Sequence, residues 1–223
     1  MAAGAARKTK VTIIDTEDQL RTAAAELVAR EPRFAIVIET HGLPPLRRAA
    51  GDLKGLLRIV TDQVISRKSG EAIWLRLETH LDPFQAETTA QVTPAALMAL
   101  GLSGAKARTF IAVATTVSQG TFDFAKLRDL SDEKARAALT SLKGIGPWTA
   151  ELYLLSALGR RDAWPAGDLA LQVAAQSLFG LTGRPDARAM DRLATSWQPW
   201  RAVAARLLWS HYRGLRGLSQ AVS

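Results

Sequence analysis

The stretch Leu142-Lys143-Gly144-Ile145-Gly146-Pro147-Trp148-Thr149-Ala150 decides how this 223-residue chain folds. It lies between two helical patterns. Before it, Ser131 followed by Asp132 and Glu133 has the residues of a helix start, and the pattern runs to Leu142. After it, a second helix is expected from Trp148 to Leu158. Gly144 and Gly146 permit the φ > 0 backbone that ends a helix tightly. Pro147 suits a first helical turn, where its missing N–H is not needed. The stretch predicts helix, short hairpin, helix. The hairpin alone leaves two readings open. It is a plain corner between helices, or its bare backbone N–H groups and the next helix N-terminus form an anion site.

Outward from the hairpin the apolar periodicity is helical nearly throughout. Leu20, Ala24, Leu27 and Val28 recur at helical spacing, as do Leu53, Leu56, Leu57, Val60 and Val64, then Ile73, Trp74 and Leu77. Thr93-Pro94 and Ser103 start further helices, with Phe110, Val113 and Val117 on one face of the second. Asp168 opens a helix to Phe179, Pro185 one to Ala194, and Pro199 the last, to Tyr212. Phe34-Ala35-Ile36-Val37-Ile38-Glu39 is rich in β-branched residues and has strand character. Its one candidate partner is Val11-Thr12-Ile13-Ile14, and helix is the preferred reading for 34–40. The expected class is all-α. Residues 1–50 are expected to pack beside the C-terminal helices, 51–160 to form a helical subdomain with the hairpin, and 161–223 to complete the molecule.

Hydrophobic residues make up 48% of the chain, enough for a core. No apolar run reaches the roughly 18–20 residues of a membrane span. Met1 to Lys10 reads as a loose basic tail, so the expected home is the cytoplasm, without a membrane partner. The absence of cysteine excludes disulfides, thiol nucleophiles, iron–sulfur clusters and thiolate zinc sites. His41, His80 and His211 are too scattered for a metal-ligand spacing. The net charge of +8 favours a polyanion, though a merely basic surface has the same balance. The excess is concentrated. Residues 181–223 carry seven arginines against Asp186 and Asp191, and Arg47, Arg48, Lys54, Arg58, Arg67 and Lys68 face only Asp52 and Asp62. Two basic blocks suit a groove with two walls.

Downstream, Trp164-Pro165-Ala166-Gly167-Asp168-Leu169 sets one carboxylate at the start of an apolar helix. By itself Asp168 reads as an N-cap, worth about 1 kcal/mol. Glycine hairpin, helix, then Gly-Asp turn is a more specific combination. With Trp197-Gln198-Pro199-Trp200-Arg201 it resembles the helix–hairpin–helix DNA glycosylases, and within them the 3-methyladenine DNA glycosylase II branch that repairs alkylated bases. Gly101-Leu102-Ser103, Lys106-Ala107 and Asp62-Gln63-Val64-Ile65-Ser66 add weaker matches. The resemblance covers about residues 30 to 213. It implies two helical subdomains with a DNA cleft between them, in a compact form lacking the α/β domain of the branch's founding members.

The resemblance assigns roles. Asp168 stabilises the positive charge that builds on the sugar as the base leaves, and activates the attacking water. Trp148 and Trp200 line the base pocket, and Trp164 lines or supports it, since aromatic faces attract a cationic alkylated purine. Lys143, Gly144, Ile145, Gly146 and Thr149 hold a DNA phosphate, with a monovalent cation at the hairpin and no required cofactor. Val64, after Gln63 and before Ser66, fills the gap left by the flipped base, although the family's usual Gly-Gln is Asp62-Gln63 here and valine is short. Trp148 occupies the position of the Schiff-base lysine of bifunctional relatives, and an indole is no nucleophile. A monomeric, monofunctional glycosylase acting on damaged duplex DNA is expected. The alternatives are a glycosylase for uracil, mismatched thymine or a deaminated purine, a DNA-binding module without catalysis, or a basic helical scaffold with a protein partner.

Overall fold

The computed structural model describes residues 13–217, so Val11, Thr12 and the basic tail lie outside the described residues. The described chain is built of helices: α1 (Glu17–Arg30), α2 (Arg33–His41), α3 (Leu53–Asp62), α4 (Arg67–His80), α5 (Ala86–Gln91), α6 (Pro94–Ala99), α7 (Gly104–Ser118), α8 (Asp132–Thr140), α9 (Pro147–Ser156), α10 (Leu169–Phe179), α11 (Ala187–Leu193) and α12 (Arg201–Leu215). Short 3₁₀ turns at Ala125–Asp129 and Ala194–Trp197 complete the list.

Side-chain caps set many of the starts. Asp52, Ser66, Thr93, Ser103, Ser131, Asp168 and Asp186 each accept from a backbone N–H in the first turn of α3, α4, α6, α7, α8, α10 and α11. Two expected starts shift by two residues. Pro185 precedes the Asp186 cap, and α12 begins at Arg201, after Pro199 and Trp200. The β-branched segment 34–40 is helical, because Phe34 and Val37, three apart, bury fully while α2 packs on α12. The alternative ribbon with Ile13 and Ile14 does not form. Ile13 instead makes a single antiparallel bridge to Arg160.

The helix contacts sort into two sets. In one, α3 packs on α4, α7 and α9, α7 on α5 and α6, and α8 on α9. In the other, α12 packs on α1, α2 and α10. Trp197 lies at the centre of the second set, fully buried. Its ring stacks on Phe179 at 5.4 Å and meets Phe34 and Trp164 edge-on at 5.2 Å and 5.5 Å. This aromatic cluster reaches the segment just before Asp168. Trp74 is a core residue of the first set, against Phe84.

Candidate active site

Helix α9 carries the hairpin at its start, and α10 carries Asp168 at its start. Gly144 sits at φ +89°, and a Cβ there would come within 2.1 Å of the Thr109 hydroxyl on α7. Only glycine lets the hairpin turn left-handed and lie this close to α7. Lys143 and Gly144 are exposed, whereas Ile145 is buried and its N–H is bonded to the Leu142 carbonyl at 3.0 Å. Thr149 is 2% exposed, and its hydroxyl accepts from the Gln63 amide at 2.8 Å. The threonine side chain expected at a phosphate therefore faces inward, tying α9 to the end of α3.

The connection from α3 to α4 projects an apolar tip. Val64 is fully exposed and adopts φ +56°, a conformation that a β-branched residue avoids. The Lys106 ammonium donates to the Thr61 and Gln63 carbonyls, each at 2.7 Å. Burial pushes the Lys106 pKa down, with Asp62 pulling it partly back. Ser66 caps α4 and shares a hydrogen bond with the Ser69 hydroxyl at 2.8 Å.

Across from this tip stands Asp168. One carboxylate oxygen accepts from the Leu171 N–H at 3.1 Å and the Trp209 indole N–H at 3.2 Å. The other accepts from the Trp148 indole N–H at 2.9 Å. Three donors on three helices fix its orientation. The loop before it is anchored by Glu151, 7% exposed, which accepts from the Trp164 N–H at 2.8 Å and pairs with Arg136. A cavity of about 660 Å³ is lined by Gln63, Val64, Ser66, Trp148, Asp168 and Tyr212, among others. It brings together the carboxylate, the exposed tip and two aromatic rings.

Trp164 and Trp200 do not line this cavity. Trp164 is buried in the aromatic cluster and lines a second cavity of about 580 Å³, which shares Trp148 and Gly167 with the first. Trp200 lines neither cavity. Its indole donates to Glu26 at 2.9 Å, and the Arg161 guanidinium lies 5.1 Å over its ring. Sequence reasoning missed Trp209 and Tyr212. Both sit on α12 at helical spacing among alanines and leucines, where a core face and a site face look alike. Among the described residues no group of three or more His, Asp or Glu is placed to hold a metal ion, and no helix is long and apolar enough to cross a membrane.

Residues 57–199 match the family model of the HhH-GPD superfamily base excision DNA repair proteins. The Schizosaccharomyces pombe alkylbase DNA glycosidase-like protein mag2 is 28% identical over 161 residues, 70% of this chain and 76% of its own length. Bacillus subtilis YfjP is 32% identical over 123 residues, 55% of this chain but only 43% of its own length. Among solved structures, S. pombe 3-methyladenine DNA glycosylase (Mag1) in complex with abasic DNA superposes with a TM-score of 0.78 at 22% identity, covering 91% of this chain and 100% of that one. The Bacillus halodurans DNA-3-methyladenine glycosidase gives 0.72 at 26% identity, covering 94% and 95%. With a helix–hairpin–helix at 132–156, Asp168 capping the helix beyond it and a family match over most of the chain, this protein belongs to the HhH-GPD superfamily of base excision DNA repair proteins.

Proposed function

We propose that the chain is a monofunctional DNA glycosylase that flips alkylated purines of the 3-methyladenine type out of duplex DNA and hydrolyses their N-glycosidic bond. The observation that carries this reading is Asp168, held by two indole N–H groups at a cavity that also contains the Val64 tip. A stacked base is out of reach, so it must leave the helix at a cost of a few kcal/mol. Val64 enters the vacated space, and the Lys106 and Gln63 bonds hold it in its strained conformation.

The flipped base enters between aromatic faces, supplied here by Trp148 and Tyr212. A cationic purine gains about 0.5–2 kcal/mol over such a ring. It is already a good leaving group, so the enzyme needs no strong general acid. As the bond breaks, the Asp168 carboxylate stabilises the sugar's positive charge and orients the attacking water. Trp148 offers no amine for a Schiff base, so the strand is left intact with an abasic site. The hairpin N–H groups and Lys143 hold a backbone phosphate. The Gly144 and Ile145 carbonyls accept no backbone hydrogen bond among the described residues, so they would be the groups to hold a monovalent cation, which would supply positive charge for that phosphate.

The test is base release from duplex DNA carrying random N-methylpurines. The expected result is free 3-methyladenine from the wild type, at least a hundredfold less from Asp168→Asn, and strand breaks only after alkali. A borohydride-trapped enzyme–DNA adduct contradicts the monofunctional assignment. Tight, salt-sensitive DNA binding without release of any base, from this duplex and from duplexes carrying uracil, mismatched thymine or a deaminated purine, identifies a binding module instead.

A further inference from the structure

A separate cavity of about 250 Å³ lies between the segment after α2, α3, α9 and α12. Its apolar lining includes Pro44, Ile59 and Leu152, and its charges are Arg47, Arg206 and Arg213. No acidic side chain lines it. None of the three arginines makes a salt bridge among the described residues. Arg206 is 9% exposed, and its guanidinium donates to the Arg47 carbonyl at 3.3 Å. Burial and then the neighbouring Arg48 lower its pKa to about 10, which Glu17 only partly opposes. Burial also lowers Arg213, helped by Arg47 and Arg67. A buried cation without a close counter-charge is costly, and the two less buried cations at the same cavity add to that cost. An oxyanion relieves that cost, and the guanidinium fork matches phosphate geometry.

The cavity adjoins the Asp168 site. Trp209 lines it and donates to Asp168, and Tyr212, beside Arg213, lines the cavity around Asp168. Resting on the glycosylase reading, we propose that Arg47, Arg206 and Arg213 form a second phosphate site, apart from the hairpin, that grips a DNA backbone phosphodiester next to the flipped nucleotide. A free oxyanion such as inorganic phosphate shares the chemistry and is the rival occupant.

The test uses the full chain and a duplex with one stable abasic-site analogue. The exposed Arg47 and half-buried Arg213 are replaced by glutamine, and the buried Arg206 is kept so that the fold survives. The Arg47→Gln, Arg213→Gln double variant is expected to bind about tenfold more weakly. Its plot of log K against log salt should be flatter by about 0.9, the loss of one phosphate contact. Duplexes with one neutral methylphosphonate at successive linkages then locate it: one linkage should weaken the wild type and leave the variant unaffected. If both proteins show the same slope and the same methylphosphonate pattern, the pocket assignment fails while DNA binding stands. If inorganic phosphate raises the wild-type Tm but not the variant's, with equal DNA slopes, a free oxyanion is the occupant and the backbone assignment fails. If the wild type binds no DNA with salt dependence, the glycosylase reading itself fails.

Discussion

The backbone turns left-handed at Gly144 and again at Val64, and it does so by opposite means. At Gly144 the turn is free of side-chain strain, and the missing Cβ lets the hairpin lie against Thr109. At Val64 a branched side chain is forced into the same region and left wholly in solvent, a cost of order 1–3 kcal/mol. Lys106 and Gln63 hold the strained turn from beneath. One turn serves the fold. The other carries an exposed apolar group that the fold does not use, as the proposed wedge role of Val64 requires.

The largest effect separating the two turns is expected from Gly144→Ala. A methyl at φ +89° and 2.1 Å from the Thr109 hydroxyl combines left-handed strain with overpacking, about 3 kcal/mol together. Thermal unfolding should show a Tm lower by roughly 6–12 °C, and an unchanged Tm would erase the contrast. Next comes Lys106→Met, which leaves two carbonyls unpaired at the end of α3. Urea unfolding should show a loss of about 1–2 kcal/mol. Base release from duplex should fall further than release from single strands, where nothing has to be wedged open. Equal losses on both substrates would reduce Lys106 to a structural brace.

Val64→Gly has the opposite sign. Releasing the strained conformation should raise stability by about 0.5–1 kcal/mol while slowing release from duplex several-fold. A destabilised variant would mean the turn carries no strain. The smallest change is expected for Gln63→Ala, which frees the Thr149 hydroxyl and loosens the tip from α9. About 0.5–1.5 kcal/mol should be lost, with a matching but slighter preference for single strands.

These two turns also mark how far the sequence could be read. Gly144, Gly146 and Pro147 announce a hairpin because each residue type has one strong backbone preference. The caps at Ser131, Ser103 and Asp168 were legible for the same reason. Residues 34–40 lean towards strand by local preference, and helix won because Phe34 and Val37 share one face against α12. Val64 gave the reverse problem. At helical spacing with Val60 it looks like the end of a buried face, and nothing local announces that α3 stops at Asp62. Lys106 does that from 43 residues away along the chain. Trp200 and Trp209 show the same limit. A motif suggested the first for the pocket, yet Glu26 and Arg161 hold it elsewhere, and the second reaches Asp168 only because α12 packs on α10.

Asp168 draws its two indole donors from different helix sets, Trp148 from α9 and Trp209 from α12. Two of the chain's six tryptophans thus end on one carboxylate. Any shift of one wall against the other, or any guest that displaces either N–H, alters the surroundings of a fluorophore. The protein carries its own optical gauge of what happens at its site, readable without a label.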